Sequence, residues 1–399
     1  MKQESFFFKD GKCYPNDSNL QSLVIDWLRF PLAIAVVFIH SFGSKQINLD
    51  TLHEKPFCME SIYDFIRITL SNIGTHFAVP VFFMFSGFLF FYKIKDFDFS
   101  IYKNKLRKRF HSLFIPYISW IILFVMQTEI RKIAGVIIKG KPVSGLWQYL
   151  VDIGGIHIFW DSSKWGFNVK NLLGWSSPGT APILVPLWFI RDLIDVVLFT
   201  PIIYYLIKKF KAIPLFVLAA CYITGFWFQA PGFSANAFFW FSFGAYFSIH
   251  GKDMVAFIYR FRIPAYIICI MTLLPLIWFN GKKGDEVTTN MTAVALYPFY
   301  IISSVFSVVN IATMLIKKGK VIVYPHLAKV SFFVFLSHVF VLQYVNLVKD
   351  RLVVSDNYIV LTLVYLAVPM ITVVICLFIY RLLDLYMSRI LAFLTGSRR

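Results

Sequence analysis

Charged residues are sparse in this sequence. Asp, Glu, Lys and Arg make up 15% of its 399 residues, against roughly a quarter in soluble domains, and that deficit excludes a soluble globule. Carboxylates are scarcer than cations, with 21 Asp and Glu against 39 Lys and Arg, leaving a net charge of +18. Cysteine is sparse as well. Cys13, Cys58, Cys221, Cys269 and Cys376 lie scattered, three of them in apolar stretches, and supply neither a disulfide framework nor a metal-ligand pattern. No internal repeat or appended polar domain is visible. No basic block interleaved with aromatics stands away from an apolar stretch, which sets nucleic acid aside. Membrane-flanking loops that collect Lys and Arg on one side explain the positive charge better.

What is abundant is apolar side chain: 58% of residues are hydrophobic and the mean hydropathy is +0.68. Apolar stretches recur that are long enough to cross about 30 Å of hydrocarbon as helices. The fold class is therefore all-α, a polytopic membrane helical bundle of about ten transmembrane helices. The expected spans are 22–43, 72–93, 112–130, 187–207, 213–228, 235–250, 261–279, 291–316, 326–346 and 358–385. With the N-terminus inside, the cytoplasmic segments collect 23 Lys and Arg and the opposite loops 13, so both termini are expected in the cytoplasm. Residues 1–21 form a cytoplasmic tail, 22–385 the transmembrane domain with an external loop at about 131–186, and 386–399 a second cytoplasmic tail. The first apolar run is too long for a signal-peptide core and is expected to stay as an uncleaved anchor.

The first span, "IDWLRFPLAIAVVFIHSFG", contains Arg29 and His40, with Asp26 just ahead. Eleven residues at 100° each come to three turns plus 20°, so both side chains leave one face of the helix, about 16 Å apart along its axis. Such a stripe suits a polar path inside a bundle, where an arginine escapes the cost of facing lipid. Arg29 also fits a snorkelling role beside Asp26, and His40 an interfacial one. Pro31 removes a backbone hydrogen bond from the same stretch. In the second span Ser86-Gly87 offers room for a ligand or for a packing helix. The fourth opens "PLWFIRDLIDVVLFTP", with Trp188, Arg191 and Asp192. Neighbouring residues on a helix point different ways, so Arg191 and Asp192 are expected to find partners elsewhere rather than pair. His338 lies mid-span beside Ser337 in "KVSFFVFLSHVFVLQ". After the second span comes a basic stretch with Lys103, Lys105, Arg107, Lys108 and Arg109. The external loop is rich in Gly, Ser and Trp, including Trp147, Trp160, Trp165 and Trp175.

Taken in order, these elements resemble the acyltransferase-3 family of bacterial integral membrane acyltransferases. Arg29 and His40 match its R-x10-H motif, and "FFMFSGFLFFYK" its F-F-x-x-S-G element. "KRFHSLFIPY", "LWFIRDL", "FFWFSFGAYF" and "VSFFVFLSHVF" follow in the expected order. One departure is that His111 and Ser112 stand where the family often has further arginines. No esterase domain follows, so the stand-alone form is expected.

The resemblance implies transfer of an acyl group, most simply acetyl, from cytoplasmic acyl-CoA to a hydroxyl of a cell-envelope glycan or lipid-linked saccharide. It also implies a multi-pass protein of the bacterial cytoplasmic membrane. His40 is then the general base, since imidazole titrates near pH 6.5. Arg29 is its partner toward the donor. Lys105, Arg107, Lys108 and Arg109 are offered to the donor's phosphates, although topology alone also produces such a run. Ser86, Arg191 and His338 are candidates to stabilise the oxyanion, with Asp192 and Trp188 also near the acceptor. The loop tryptophans either stack on sugar or form an interfacial belt. No metal is expected. A transporter or flippase with the same polar stripe is the rival reading; no inverted repeat or pair of broken helices speaks for it.

Overall fold

A computed structural model of the protein describes residues 7–9, 12–14, 17–41, 43, 45, 47–138, 156–160, 181–228, 230–280 and 291–397. A short antiparallel hairpin, β1 (Phe7–Lys9) and β2 (Lys12–Tyr14), comes first. Helices follow: α1 (Asp17–Ile39), α2 (Leu49–Glu54), α3 (Met59–Arg67), α4 (Ala78–Phe91), α5 (Phe99–Arg109), α6 (Ile115–Ile138) and α7 (Ile156–Phe159). Next are α8 (Trp188–Leu198), α9 (Thr200–Phe210), α10 (Ile213–Thr224), α11 (Ala235–Ile249) and α12 (Met254–Arg260). The last five are α13 (Arg262–Asn280), α14 (Met291–Lys317), α15 (Pro325–Leu352), α16 (Tyr358–Tyr386) and α17 (Ser388–Thr395). π-helical segments at Ile68–Ile73 and Phe110–Phe114 join α3 toward α4 and α5 to α6.

Local chemistry sets the boundaries. The Asp98 carboxylate caps α5 by accepting from the Ile101 amide at 2.7 Å, and Asp253 caps α12 in the same way. Prolines open α9, α10 and α15, where the missing N–H costs nothing. Gly225 ends α10 in the left-handed conformation, at φ 70°.

Six helices among the described residues are long and apolar enough to cross a membrane: Leu20–Ile39, Met59–Phe91, Phe99–Gly135, Ala295–Lys317, Pro325–Leu352 and Tyr358–Tyr386. A seventh arises if Met254–Arg260 and Arg262–Trp278, bent by 68°, count as one span. The expected ten is therefore not reached by this measure. The stretch 187–207 breaks at Phe199, where Pro201 cannot donate into a continuous helix, and α10 and α11 run only 12 and 15 residues. At 1.5 Å per residue these fall short of about 30 Å. The basic stretch after the second span is helical rather than a loop, and α6 carries the third span on to Ile138.

The chain forms two compact units, Met1–Tyr92 with Phe243–Arg381, and Lys93–Ser242 with Leu382–Arg399. In the first, α1 packs along α15 and α14 and touches α4, burying Val24, Leu28, Val36 and Val37 with Phe83, Val305, Phe333 and Val334. Gly244 lets α11 approach α4 closely: a Cβ there would sit 1.9 Å from the Met84 carbonyl oxygen. Beside it, the Ser248 hydroxyl donates to the Phe88 carbonyl at 2.6 Å. In the second unit α17 packs on α6, with the Trp120 indole donating to the Leu394 carbonyl at 3.0 Å.

Candidate active site

His40 stands one residue beyond the end of α1, its amide still bonded to the Val36 carbonyl at 3.3 Å. The turn is held from outside. Ser71, inside the first π-helical segment, lies 2.6 Å from the Phe38 carbonyl and 2.7 Å from that of Ser41, and meets the Tyr365 hydroxyl. A hydroxyl has one proton, so Ser71 shares it between the two carbonyls and accepts from Tyr365. The π geometry, marked by the Gly74 amide reaching back five residues to the Thr69 carbonyl, aims Ser71 at this turn.

The half-buried His40 ring lies against His338 of α15, with centroids 5.3 Å apart and planes inclined by 37°. His338 is fully buried. Its Nδ1 is 2.7 Å from the Phe335 carbonyl; a carbonyl can only accept, so Nδ1 carries the proton. Among the described residues, His338 Nε2 is buried without a hydrogen-bond partner. A third histidine, His76, lies within electrostatic range of His40, and its Nδ1 meets the Tyr297 hydroxyl at 2.8 Å. Among the described residues, no group of three or more His, Cys, Asp or Glu has the arrangement of a metal site.

Arg29 pairs with Asp26 at 2.9 Å one turn back on α1, both about one third exposed. Pro31 is accommodated inside the helix. Ser86 is half-buried on α4. The close approach expected at Ser86-Gly87 is made by Gly244 of α11 against Met84 and Phe88.

The second unit holds a separate cluster and requires a correction. Arg191 and Asp192, expected to seek different partners, bond each other: Nε and Nη2 lie 3.1 and 2.9 Å from Asp192 Oδ1. The arginine side chain is long enough to curl across the 100° between neighbours, and burial to 2% and 1% exposure makes an unpaired charge too costly. Arg191 Nη1 also donates to the Trp160 carbonyl at 2.7 Å, and Asp192 accepts from Ser234. The Trp160 indole reaches the Pro231 carbonyl, and Tyr117 bonds the Phe159 carbonyl. Trp160 is thus a structural anchor of this cluster. Trp147, Trp165 and Trp175 lie outside the described residues.

Trp188 begins α8, half-buried. Arg107, Lys108 and Arg109 occupy the last turn of α5, where the helix dipole favours cations, with Lys105 one turn before. Near the other end of α5, Tyr102, Tyr204, Tyr205, Lys208 and Lys209 help line an open cavity of about 630 Å3.

Sequence reasoning missed His76, Tyr297 and Ser71, and also the buried pair Asp64 and Arg67. Arg67 bonds Asp64 and the Lys45 carbonyl and lies over the Tyr63 ring at 4.3 Å. The available signal was the polar run "SNIGTH", directly ahead of "FAVPVFFMFSG".

A family model described as an acyltransferase domain matches residues 23–381. The succinoglycan biosynthesis protein ExoH of Rhizobium meliloti (strain 1021) is 25% identical over 256 residues, 62% of this chain and 59% of ExoH. The match therefore spans less than two thirds of that relative. No solved structure matches.

Proposed function

The chain belongs to the acyltransferase-3 family, and from that premise we propose that it is a membrane O-acyltransferase that modifies a hydroxyl of a cell-envelope glycan or lipid-linked saccharide. The observation that carries the reading is His40. It is a half-buried imidazole at the end of a membrane helix, its ring bonded to no described residue and its turn fixed by Ser71. A free nitrogen held in a fixed place is what a general base needs. The relative's name, which places ExoH in succinoglycan synthesis, supports a polysaccharide acceptor. The donor is acyl-CoA, most simply acetyl-CoA, drawn from the cytoplasm. The loop charge balance supports that topology, with the protein in the bacterial cytoplasmic membrane and both termini inside.

In this mechanism His40 takes the proton of the acceptor hydroxyl as its oxygen attacks the thioester carbonyl. The C–O bond forms, the C–S bond breaks, and the proton passes to the departing CoA thiolate. Ser86, in the same unit as His40, is the proposed donor to the oxyanion. Arg29, in the same unit as His40, is offered to the donor's phosphates, where a guanidinium binds well; the basic residues of α5 are offered to them on charge alone.

The test is acyl transfer from labelled acetyl-CoA by the protein in proteoliposomes. His40→Ala is expected to lose about 10²- to 10⁴-fold in rate, the usual contribution of general-base catalysis. Arg29→Ala should chiefly raise KM for the donor. Wild-type rates in a correctly inserted His40→Ala protein would rule out the base assignment. Movement of an unmodified saccharide without release of CoA would favour a transporter.

A further inference from the structure

We propose that His338 is a positioning residue for His40: its bare Nε2 accepts a hydrogen bond from the His40 imidazolium when His40 has taken up a proton. The inference rests on the reading of His40 as the base, and adds a partner for the charged state that this reading creates.

Three observations carry it. First, the Phe335 carbonyl fixes the tautomer of His338, placing the proton on Nδ1 and leaving Nε2 with an exposed lone pair. In that tautomer His338 has no second donor, so it cannot serve an oxyanion; it can only accept. Second, among the described residues Nε2 is buried and has no hydrogen-bond partner, an arrangement that is costly for a polar atom. A buried acceptor left unmet in the resting protein is explained if its donor appears only during turnover. Third, among the described residues the only ring that touches His338 and can present an N–H is His40: Phe335 also lies beside it, at 6.2 Å, but has no donor. The ring centroids are 5.3 Å apart, so a rotation of the half-buried His40 ring brings one of its N–H groups toward His338 Nε2.

The neighbouring groups are consistent with this division of labour. His76 is engaged with the Tyr297 hydroxyl of α14, and Tyr365 of α16 with Ser71. Beyond Gly43, the Arg67 guanidinium is paired with Asp64. On α1 itself Arg29 is paired with Asp26. These contacts direct no acceptor at His40, whereas His338 Nε2 has no other partner among the described residues.

The experiment measures the protonation of His40 without turnover. Carbethoxylation of His40 by diethyl pyrocarbonate, read by mass spectrometry, is followed against pH in the full-length protein in nanodiscs. Two near-isosteric variants separate the two edges of the ring. His338→Asn keeps a donor for the Phe335 carbonyl but has nothing at the Nε2 position. His338→Gln places an amide oxygen near that position. If the pairing exists, His338→Asn lowers the midpoint of His40 by about one pH unit, the equivalent of one hydrogen bond to a charged group. His338→Gln holds the midpoint near the wild-type value. An unchanged midpoint in His338→Asn overturns the proposal, as does an equal fall in both variants. Because labelling requires no acyl transfer, a shift with no effect of His40→Ala on rate would keep the pairing and remove the base. Loss of rate in His40→Ala without any shift would do the opposite.

Discussion

The buried pair in the second unit makes an asymmetric prediction. Arg191 and Asp192 are 2% and 1% exposed and share two hydrogen bonds, with the Asp195 carboxylate in electrostatic range of both, so removing either partner leaves a buried charge less well compensated. Breaking a buried pair usually costs about 3–5 kcal/mol, but the two halves should not cost the same. A stranded carboxylate can take up a proton and become neutral. Raising that proton affinity from the ordinary carboxylate value to neutrality costs at most about 4 kcal/mol at pH 7 and about 1.5 kcal/mol at pH 5. The guanidinium left by Asp192→Leu has no such escape, because it stays protonated throughout. Arg191→Met should therefore recover roughly 2–3 kcal/mol of stability between pH 7 and pH 5 relative to wild type, while Asp192→Leu should recover none. The double replacement should be more stable than Arg191→Met at pH 7, since it leaves one fewer uncompensated carboxylate beside Asp195. Equilibrium unfolding in mixed micelles at the two pH values measures all four proteins. Equal losses for the two single variants at both pH values, or a double variant worse than Arg191→Met at pH 7, would refute the reasoning.

Three further outcomes are expected. Gly244→Ala should lower the unfolding temperature and Gly244→Val more so, because the added Cβ meets the Met84 and Phe88 backbone and overpacking typically costs about 1–3 kcal/mol; an unchanged temperature would mean that the helices separate freely. Ser71→Ala should lower kcat more than it changes KM and speed amide exchange at Phe38–Ser41, since two carbonyls lose their donor. Lys45 and Asp356 meet at 2.7 Å outside the membrane helices. The bond holds the Asp356 carboxyl below its ordinary value of 3.8 and the Lys45 ammonium above 10.5. Their contact is thus complete between those values, and is lost below about pH 4 as Asp356 protonates and in strong base as Lys45 deprotonates. The protection of amides around Lys45, corrected for intrinsic exchange at each pH, should fall only at those extremes and should not respond to acid in Asp356→Asn.

Much of the first unit was legible from the chain. α1 holds Arg29 and ends one residue short of His40, close to where its apolar run was expected, and α14, α15 and α16 fall almost where theirs lie. The meeting of His40 with His338 was not legible, because it joins positions almost three hundred residues apart, and spacing carries no information over that distance. His76 escaped notice because it ends a polar run that looks like a loop, and π-helical backbone has no sequence period of its own. Tyr297 sits in an apolar span where one hydroxyl among aromatics attracts no attention. The Arg191–Asp192 pair shows a different limit. Helical geometry fixes where Cβ atoms point, but a long side chain under a heavy desolvation cost can turn back on its neighbour.

The π-helical turn at Ile68–Ile73 makes the length of this segment as important as its composition. It stores one residue more than an ordinary helix would need. A single-codon deletion within it would let α3 run toward α4 with regular bonding, and local backbone stability would suffer little. The phase of everything on one side would nevertheless turn by about 100° against the other. Ser71 could not then stay on the Phe38 and Ser41 carbonyls while Ala78–Phe91 kept its packing. The segment should accept many substitutions and almost no change of length, so a deletion scan would locate it as sharply as any point mutation locates His40.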